Sequence, residues 1–355
     1  MAGLGVAATA LLVAATVCVT SGCAMLGYYA QSVGGHLSLI HAARPVGDWL
    51  GDDATGEPLR KRLALSQRIR DYAVSALHLP DNPSYRRYAE LDRPAAVWNV
   101  VAAPELSLTL KTWCFPVVGC VGYRGYFERA GADALAAELR SEGWEASVYG
   151  VPAYSTLGRL NWLGGDPLLS TFIGYPEGEL ARLIFHELAH QVAYAPGDTV
   201  FNESFATAVE RIGGARWLAE RASDAVRVEY AHYDERRRDF RSLVMRYRER
   251  LEALYQGGDL SDRDKRARKD ELMRALRADY AALKAGPWQG YAGYDAWFER
   301  ANNASLGVLA AYNELVPAFE RLYAREGGDL ERFYAEVRRL AALPKDERRA
   351  TLRAL

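Results

Sequence analysis

Residues 183–211 read LIFHELAHQVAYAPGDTVFNESFATAVER. The first part of this stretch places His186 and His190 four residues apart in an apolar run. At about 100° per residue of an α-helix, the two imidazoles lie about 40° apart on one face, one turn from each other. Glu187 projects beside them. The spacing therefore predicts a helix that directs two histidines and one carboxylate toward a common point.

This H-E-x-x-H spacing is typical of a catalytic zinc site. Two imidazoles with a carboxylate suit Zn²⁺, and an open fourth position leaves room for a water molecule on which Glu187 can act. The apolar flanks indicate a buried helix, and a buried carboxylate needs a partner, which a cation provides. A helix with two incidental histidines is the structural alternative.

A third ligand is expected on a second helix. Pro196-Gly197-Asp198 ends the first helix after Tyr194 and allows the chain to fold back. Twelve residues separate His190 from Glu203, enough for a turn and a returning helix, so Glu203 is the preferred ligand. Glu210 lies seven residues further along nearly the same face and is the rival ligand.

Composition excludes several classes of protein. The 355 residues are 50% hydrophobic and 25% charged, with a formal net charge of −1. These values describe a globular chain and exclude bulk disorder, collagen and a polytopic membrane protein. Because no positive field extends over the chain and charges of both signs are interleaved, we expect no nucleic-acid partner. The first charged side chain is Arg44, so the N-terminus differs sharply from the rest.

That uncharged N-terminus predicts export. Val6–Val19 is an apolar run of 14 residues, too short to span a bilayer but suited to the core of a signal peptide. Small residues then lead into Cys23, as in a bacterial lipobox, although the run lacks a preceding Lys or Arg and Thr20 replaces a larger apolar residue. We predict a signal peptide at 1–22, a lipid anchor on Cys23 and a place on the periplasmic side of a bacterial membrane. An uncleaved anchor helix is the alternative.

The cysteines support the same compartment. Cys18 would leave with the signal and Cys23 would carry lipid, so that Cys114 and Cys120 remain. In an oxidising compartment this pair can close a small disulfide loop. Half of a metal site is the alternative, but the chain has no further cysteines to complete one.

The apolar patterns predict an α+β fold that is predominantly helical. We expect a single domain over 23–355, with mixed α/β structure at 24–175 and helices at 176–355. The predicted helices of the first part are Arg60–Leu79 and Phe127–Glu142. The predicted strands are Trp98–Ala103, Leu106–Leu110 and Trp144–Val151.

A long antiparallel helical hairpin is expected in the second part. Apolar residues alternate at spacings of three and four along two runs, with Gly257-Gly258-Asp259 between them. These residues are Phe240, Val244, Tyr247, Leu251 and Leu254, then Met273, Leu276, Tyr280 and Leu283. The other faces are heavily charged, which indicates solvated, salt-bridged surfaces.

FHELAHQ followed by FNESFATAVE resembles the gluzincin metallopeptidases, in which H-E-x-x-H is followed by N-E-x-x-A. The stretch is especially similar to the M1 aminopeptidases, although the segment that connects the two blocks is shorter here. Taken whole, the chain resembles the bacterial predicted aminopeptidase family, zinc peptidases that are often lipoproteins. WCFPVVGCVGYRGYF, GVPAYSTLG and a late NNA segment support this wider resemblance.

The resemblance implies that His186, His190 and Glu203 bind one Zn²⁺ ion. Glu187 would be the general base, which takes a proton from the attacking water and passes it to the leaving amine. The expected protein is therefore a zinc-dependent peptidase, in the first instance an aminopeptidase, with peptide substrates in the cell envelope.

Further residues follow from the same resemblance. Asn202 and Glu210 would orient the metal ligands. An oxyanion donor is also expected, and the candidates are Tyr154 and Tyr312. The M1 enzymes hold the free amine of the substrate partly with a G-x-M-E-N block that this chain lacks, so that an acidic group such as Glu210 would have to replace it.

Two alternative functions remain at the level of sequence. An endopeptidase or amidase that acts on envelope material would keep the chemistry and change the substrate. A non-catalytic envelope lipoprotein would use the metal for stability and the charged hairpin to bind a partner. Glu187 separates these alternatives, because a structural metal site has no use for a carboxylate between its histidines.

Overall fold

The structure, a computed structural model, describes residues 27–115, 119–158, 161–311 and 314–355. The predicted signal peptide, Cys23 and Tyr312 lie outside the described residues. Helices dominate the described ranges, whereas the strands are short and lie between Arg44 and Leu169. The fold is therefore α+β and mostly helical, as predicted. Within these ranges, no helix is both long and apolar enough to cross a lipid bilayer.

Helices occur in both parts of the chain. Those of the first part are α1 (27–42), α2 (Val46–Gly51), α3 (Glu57–Ser75), α4 (Arg129–Ser141) and α5 (Ser170–Ile173). The central helices are α6 (Glu177–Ala189), α7 (Thr199–Glu220), α8 (Asp224–Gln256) and α9 (Asp262–Ala285). The last helices are α10 (Asp295–Arg300), α11 (Asn303–Ala311), α12 (Val316–Arg325), α13 (Leu330–Ala341) and α14 (Lys345–Arg353).

The strands of the described ranges form three small sheets. In the first, β2 (Arg87–Ala89) lies between β1 (Arg44–Pro45), which is antiparallel to it, and β8 (Leu168–Leu169), which is parallel. In the second, β3 (Val97–Pro104) lies between β6 (Arg124–Tyr126) and β7 (Trp144–Val151) and is antiparallel to both. In the third, β4 (Trp113–Phe115) pairs with β5 (Gly119–Val121). A disulfide between Cys114 and Cys120 joins these last two strands.

The predicted strand at Leu106–Leu110 is wrong. These residues follow β3 as a turn and an irregular segment, where the hydroxyl of Ser107 accepts a hydrogen bond from the backbone N–H of Thr109 at 3.1 Å. Such a local bond competes with a strand ladder. Leu108 packs into the cluster of the α8–α9 hairpin, and Leu110 packs against the cluster that joins β3 to α11. The alternating leucines thus fill two different clusters.

Helices α8 and α9 pack against each other along an apolar seam. One buried cluster contains seam residues from both helices, namely Phe240, Val244, Tyr247, Leu251, Met273, Leu276 and Tyr280. Near the connecting loop, Lys265 donates to the backbone oxygen of Tyr255 at 2.9 Å. Further from the loop, the hydroxyl of Tyr247 donates to Asp279 at 2.8 Å. The contacts show that the two helices run in opposite directions.

A larger core joins the two ends of the described chain. Its buried side chains extend from Leu39 in α1 to Leu352 in α14, and they include the apolar face of α6. On that face Leu180, Ile184 and Leu188 are fully buried at the four-residue spacing of an α-helix. Burial of one such side chain contributes about 1.5–3 kcal/mol. The apolar face therefore fixes which side of α6 faces this core and which side faces away from it.

Two glycines allow α6 and α7 to lie close together. A Cβ atom at Gly213 would lie 2.6 Å from the side chain of Leu77 and 2.9 Å from that of Phe185. A Cβ atom at Gly214 would lie 2.8 Å from Cγ of Arg182. Glycine costs about 1 kcal/mol relative to alanine inside a helix. Here the missing side chains make room for Phe185 and Arg182.

The start of α7 is fixed by a buried carboxylate. Asp198 caps the helix by accepting a hydrogen bond from the backbone N–H of Phe201 at 3.3 Å. The same carboxylate binds Arg348 and Arg349 of α14, each at 2.8 Å. The side chain of Asp198 is 0% exposed and that of Arg348 is 6% exposed. The C-terminal helix therefore holds the loop between α6 and α7 in place.

We predict that Arg348→Ala lowers the free energy of unfolding by about 3 kcal/mol, because it removes one partner of a buried ion pair. Urea denaturation measures this loss. The control is Arg353→Ala on the same helix, whose ion pair with Glu314 is exposed and contributes less than about 1 kcal/mol. Equal losses in the two variants would contradict the assigned role of Arg348.

Candidate metal centre and active site

Helix α6 carries both histidines of the motif. Glu177 and Glu179 occupy its first turn, where negative charge is favoured by the helix dipole. The helix ends at Ala189 with His190 as its C-cap, so the predicted end after Tyr194 is wrong. After Ala189 the backbone hydrogen bonds join residues three apart, as in a 3₁₀ turn. The N–H of Gln191 donates to the oxygen of Leu188, and the N–H of Val192 donates to the oxygen of Ala189. His190 nevertheless keeps the orientation that the helix gives it.

The structure brings three predicted ligands together. Ligand atoms of His186, His190 and Glu203 all lie within 4.8 Å of one another, and the described ranges contain no other such trio of His, Cys, Asp or Glu. Nε2 of His186 lies 3.3 Å from Oε2 of Glu203, and Nε2 of His190 lies 3.7 Å from it. Tetrahedral Zn²⁺ with bonds of about 2.0–2.2 Å separates its ligand atoms by about 3.4 Å. The donor types and separations therefore fit Zn²⁺.

Glu210 contacts one of these histidines from the side away from Glu203. Its Oε2 lies 3.0 Å from Nδ1 of His186. Its Oε1 accepts a hydrogen bond from Arg182, which lies one turn before His186 on α6. If Nδ1 of His186 donates to Glu210, Nε2 is left with a lone pair that faces Glu203. Glu210 thus holds the ring nitrogen of His186 that faces away from Glu203.

Arg182 is itself firmly held. Its side chain is 4% exposed, and Nη1 donates to the hydroxyl of Tyr230 at 2.8 Å. Nη1 also lies 3.6 Å from Asp234 of α8. A chain of contacts therefore leads from α8 through Arg182 and Glu210 to His186, and it fixes the orientation of the imidazole ring.

The electrostatics of the trio follow from burial opposed by charge. Burial disfavours the protonated form of His186, but hydrogen bonds and charges from Glu203 and Glu210 outweigh it and raise the pKa of His186 well above its ordinary value. Burial also disfavours ionised Glu203, but the charge of His190 and contacts with both histidines lower the pKa of Glu203 to about 2. Burial likewise acts to raise the pKa of Glu210, but the charge of Arg182 and the contact with His186 hold it well below its ordinary value. Glu203 and Glu210 are thus ionised, and the site favours a positive charge between its members.

Glu187 differs from the other carboxylates because it forms no hydrogen bond or ion pair with any described residue. Burial raises the pKa of Glu187, opposed by the charges of His186 and His190. Its carboxylate lines a cavity of about 760 Å³ that also contains the three clustered residues. A carboxylate with a raised pKa is a stronger base once ionised. Glu187 is therefore free to exchange a proton with a molecule in the cavity.

Asn202 holds a loop instead of a ligand side chain. Its side-chain oxygen accepts from the backbone N–H of Ala195 at 2.7 Å, and its amide donates to the backbone oxygen of Ala195 at 2.9 Å. The family resemblance implied that Asn202 orients the metal ligands. The structure gives it an indirect role, because both bonds fix the loop that leads from His190 to the start of α7.

Tyr154, one of the two predicted oxyanion donors, lines the same cavity. Its ring packs between His36 and Phe127, with centroids 5.6 and 5.2 Å away. Burial raises the pKa of Tyr154 to about 12, and the charge of Asp166 acts in the same direction. The phenol is therefore protonated and able to donate. The other candidate, Tyr312, lies outside the described residues.

Tyr123 is a candidate that sequence reasoning missed. It lines the cavity, and burial raises its pKa well above the ordinary value, reinforced by the charges of Glu203 and Glu187. Its phenol is thus protonated and lies within electrostatic range of both carboxylates. Tyr123 follows β5, so the disulfide hairpin places it beside the candidate metal centre. In the sequence, the feature that pointed to Tyr123 was its position in GYRGYF, part of a block that supports the family resemblance.

Residues 27–352 match the model of a family described as "Putative aminopeptidase". The chain belongs to this family. The match covers nearly the whole described chain and includes every clustered residue of the candidate centre. Membership indicates peptidase activity and so a hydrolase. No curated protein and no solved structure gave a match.

For this aminopeptidase-family chain, we predict that Asn202→Ala lowers the free energy of unfolding by about 1–3 kcal/mol, because it leaves the buried backbone N–H of Ala195 without a partner. The backbone oxygen of Ala195 loses the amide of Asn202 but still accepts a hydrogen bond from the backbone N–H of Asp198 at 3.1 Å. Asn202→Asp keeps the acceptor but sets a carboxylate oxygen against a carbonyl, so it is destabilised as well. Urea denaturation and hydrogen exchange at the Ala195 amide measure the effect. The exposed control Gln256→Ala should change stability by less than about 0.5 kcal/mol. Unchanged exchange at Ala195 in both Asn202 variants would contradict the assignment.

Proposed function

We propose that this protein is a zinc-dependent peptidase, an aminopeptidase, anchored in the cell envelope of a bacterium. The observation that carries the proposal is the convergence of His186, His190 and Glu203 beside the unpaired carboxylate of Glu187. A structural metal site closes its coordination with protein ligands, whereas three ligands that border a cavity leave a position open. Family membership supports a peptidase independently of this geometry.

The chain's own residues have distinct tasks in this proposal. When bound, Zn²⁺ would act as a Lewis acid that polarises the scissile carbonyl and activates water. Glu187 takes a proton from the attacking water and delivers it to the amine that leaves. Glu210 holds Nδ1 of His186, so that Nε2 faces the metal position. Together these residues provide a base, an oriented ligand and a site for the metal.

The carbonyl oxygen of the substrate gains negative charge during such a reaction and needs a donor. We assign this role to Tyr123 or Tyr154, because both line the cavity and both have raised pKa values. Tyr123 is the stronger candidate, since the charges of Glu187 and Glu203 act on it directly. The carboxylate charge that acts on the pKa of Tyr154 is instead that of Asp166. A neutral phenol can donate to the developing charge without itself carrying charge.

Contacts within the site limit which group could bind the free amine of the substrate, a role for which the sequence suggested Glu210. Both carboxylate oxygens of Glu210 are engaged, one by Arg182 and one by His186. Both carboxylate oxygens of Glu179 likewise accept hydrogen bonds, one from each terminal nitrogen of Arg237. The aminopeptidase assignment therefore rests on the family match, and an endopeptidase is the second candidate because the contacts of Glu210 and Glu179 already occupy both carboxylates.

The proposed location in the envelope rests on the N-terminal sequence and on the disulfide. The pair Cys114–Cys120 forms a bond that persists in oxidising compartments outside the cytoplasm. The apolar run and Cys23 would supply export and a lipid anchor. Mass spectrometry of the mature N-terminus tests the anchor, since lipidation adds a diacylglyceryl mass to a chain that begins at Cys23.

We predict that Glu187→Gln lowers kcat for aminoacyl anilides by about 10²–10⁴-fold, because glutamine keeps the shape of the side chain but cannot accept the proton. The zinc content of the purified variant should equal that of the wild type. Steady-state kinetics and metal analysis measure the two quantities. Glu229→Gln, exposed on α8, is the control and should keep full activity.

The same assay distinguishes the candidate activities. Hydrolysis of substrates with a free amine, but not of their N-acetylated forms, supports the aminopeptidase. Hydrolysis of the acetylated forms alone would support the endopeptidase and exclude the aminopeptidase. Equal activity of wild type and Glu187→Gln would exclude the proposed base.

We predict that Glu210→Gln weakens zinc binding by about 10–100-fold, because loss of its charge makes Nε2 of His186 a poorer ligand. Glutamine can still accept the hydrogen bond of Arg182, so the fold should persist. Competition with a chromogenic chelator measures the affinity. Glu220→Gln, near the end of the same helix, is the matched control, and an identical loss in both variants would contradict the role of Glu210.

A further inference from the structure

Three arginines border the side of the cavity that faces α8. Arg182 comes from α6, and Arg237 and Arg241 lie one turn apart on α8. Arg241 also lines a second cavity of about 530 Å³, where Arg211 and Arg238 are among its neighbours. Clefts lined by one sign of charge concentrate ligands of the opposite sign. Whether this end of the active-site cavity carries an excess of positive charge therefore depends on the carboxylates that pair with these arginines.

Four of these arginines already have carboxylate partners. Arg182 is paired with Glu210, and Arg237 binds Glu179 through two bonds of 2.8 and 2.9 Å. The remaining pairs are Arg238–Asp234 at 3.3 Å and Arg211–Glu320 at 3.2 Å. Arg241 alone in this group forms no hydrogen bond or ion pair with a described residue.

The surroundings of Arg241 favour an anion. Burial lowers the pKa of Arg241 to about 10, and the charges of Arg211, Arg237 and Arg182 add to this effect, opposed by Asp234. Charged side chains away from bulk water are normally paired. A guanidinium offers two parallel donors that match the two oxygens of a carboxylate. Because Arg241 lines the active-site cavity, a carboxylate bound in that cavity can reach it.

We propose that Arg241 binds a carboxylate of the peptide substrate, and that it makes the enzyme selective for peptides with a carboxylate near the scissile bond. This inference rests on the proposed peptidase function. The carboxylate is either the C-terminus of a short peptide or an acidic side chain, since both present the same group. Arg241 is then a specificity residue that contacts substrate at the α8 end of the cavity.

Binding tests this proposal without turnover. Calorimetry with the Glu187→Gln protein would use three peptides: Leu-Gly-Gly, its C-terminal amide, and Leu-Gly-Glu amide. We expect Arg241→Gln in the same background to weaken binding of a carboxylate-bearing peptide by about tenfold, which corresponds to about 1.4 kcal/mol. Binding of Leu-Gly-Gly amide should be unchanged. Arg241→Lys, which keeps the charge, should retain part of the affinity.

The control is Arg246→Gln, an exposed arginine on the same helix, which should bind all three peptides like its parent. A loss confined to Leu-Gly-Gly identifies the C-terminal carboxylate, and a loss confined to Leu-Gly-Glu amide identifies an acidic side chain. Equal loss for all three peptides, or no loss for any, would overturn the proposal. The calorimetry measures binding and not hydrolysis. Absence of peptidase activity in the wild type would therefore refute the proposed function, whereas the binding data would still test the role of Arg241.

Discussion

The close approach of α6 and α7 is the constraint on which the candidate centre depends. His186 and His190 lie on one helix and Glu203 on the other, so the three can meet only if the axes lie close. Gly213 and Gly214 permit that approach, because a Cβ atom at either position would collide with side chains of neighbouring elements. The cost of two glycines inside a helix is about 2 kcal/mol, and packing of the apolar faces offsets it.

Charge in this region is arranged by contacts between distant parts of the chain. Asp198 starts α7 and is bound by Arg348 from the last helix, while Glu210 supports His186 and is bound by Arg182. Asp198 and Glu210 thus each have a cationic partner, as the cost of burying charge requires. Glu187 is different, since it faces the cavity without a hydrogen bond to a described residue. That difference separates the proposed base from the residues that hold the site together.

The sequence predicted those features that depend on helical spacing. His186 and His190 share a face because residues four apart always do in an α-helix, and the resemblance to the family rested on this pair of helices together with WCFPVVGCVGYRGYF, GVPAYSTLG and the late NNA segment. The choice between Glu203 and Glu210 was less certain, because it depends on how α7 is rotated against α6. The structure turns Glu203 toward both histidines and Glu210 toward Nδ1 of His186.

Other features that depend on tertiary contacts were not predicted. The leucines at 106–110 alternate as in a strand but fill two separate clusters. Arg182 precedes the motif by one turn, yet its partners come from α7 and α8. Arg241 is 51 residues beyond His190, and nothing in its local sequence distinguishes it from the other arginines of a charged helix. Its importance appears only when the partners of its neighbours are known.

We propose that α6 and α7 hold one zinc ion between His186, His190 and Glu203. Anomalous diffraction at the zinc absorption edge, from crystals of the zinc-loaded protein, shows directly whether a zinc ion lies there. We expect a single strong peak about 2.0–2.2 Å from Nε2 of both histidines and from a carboxylate oxygen of Glu203. Absence of a peak there, or a peak coordinated by other residues, would contradict it.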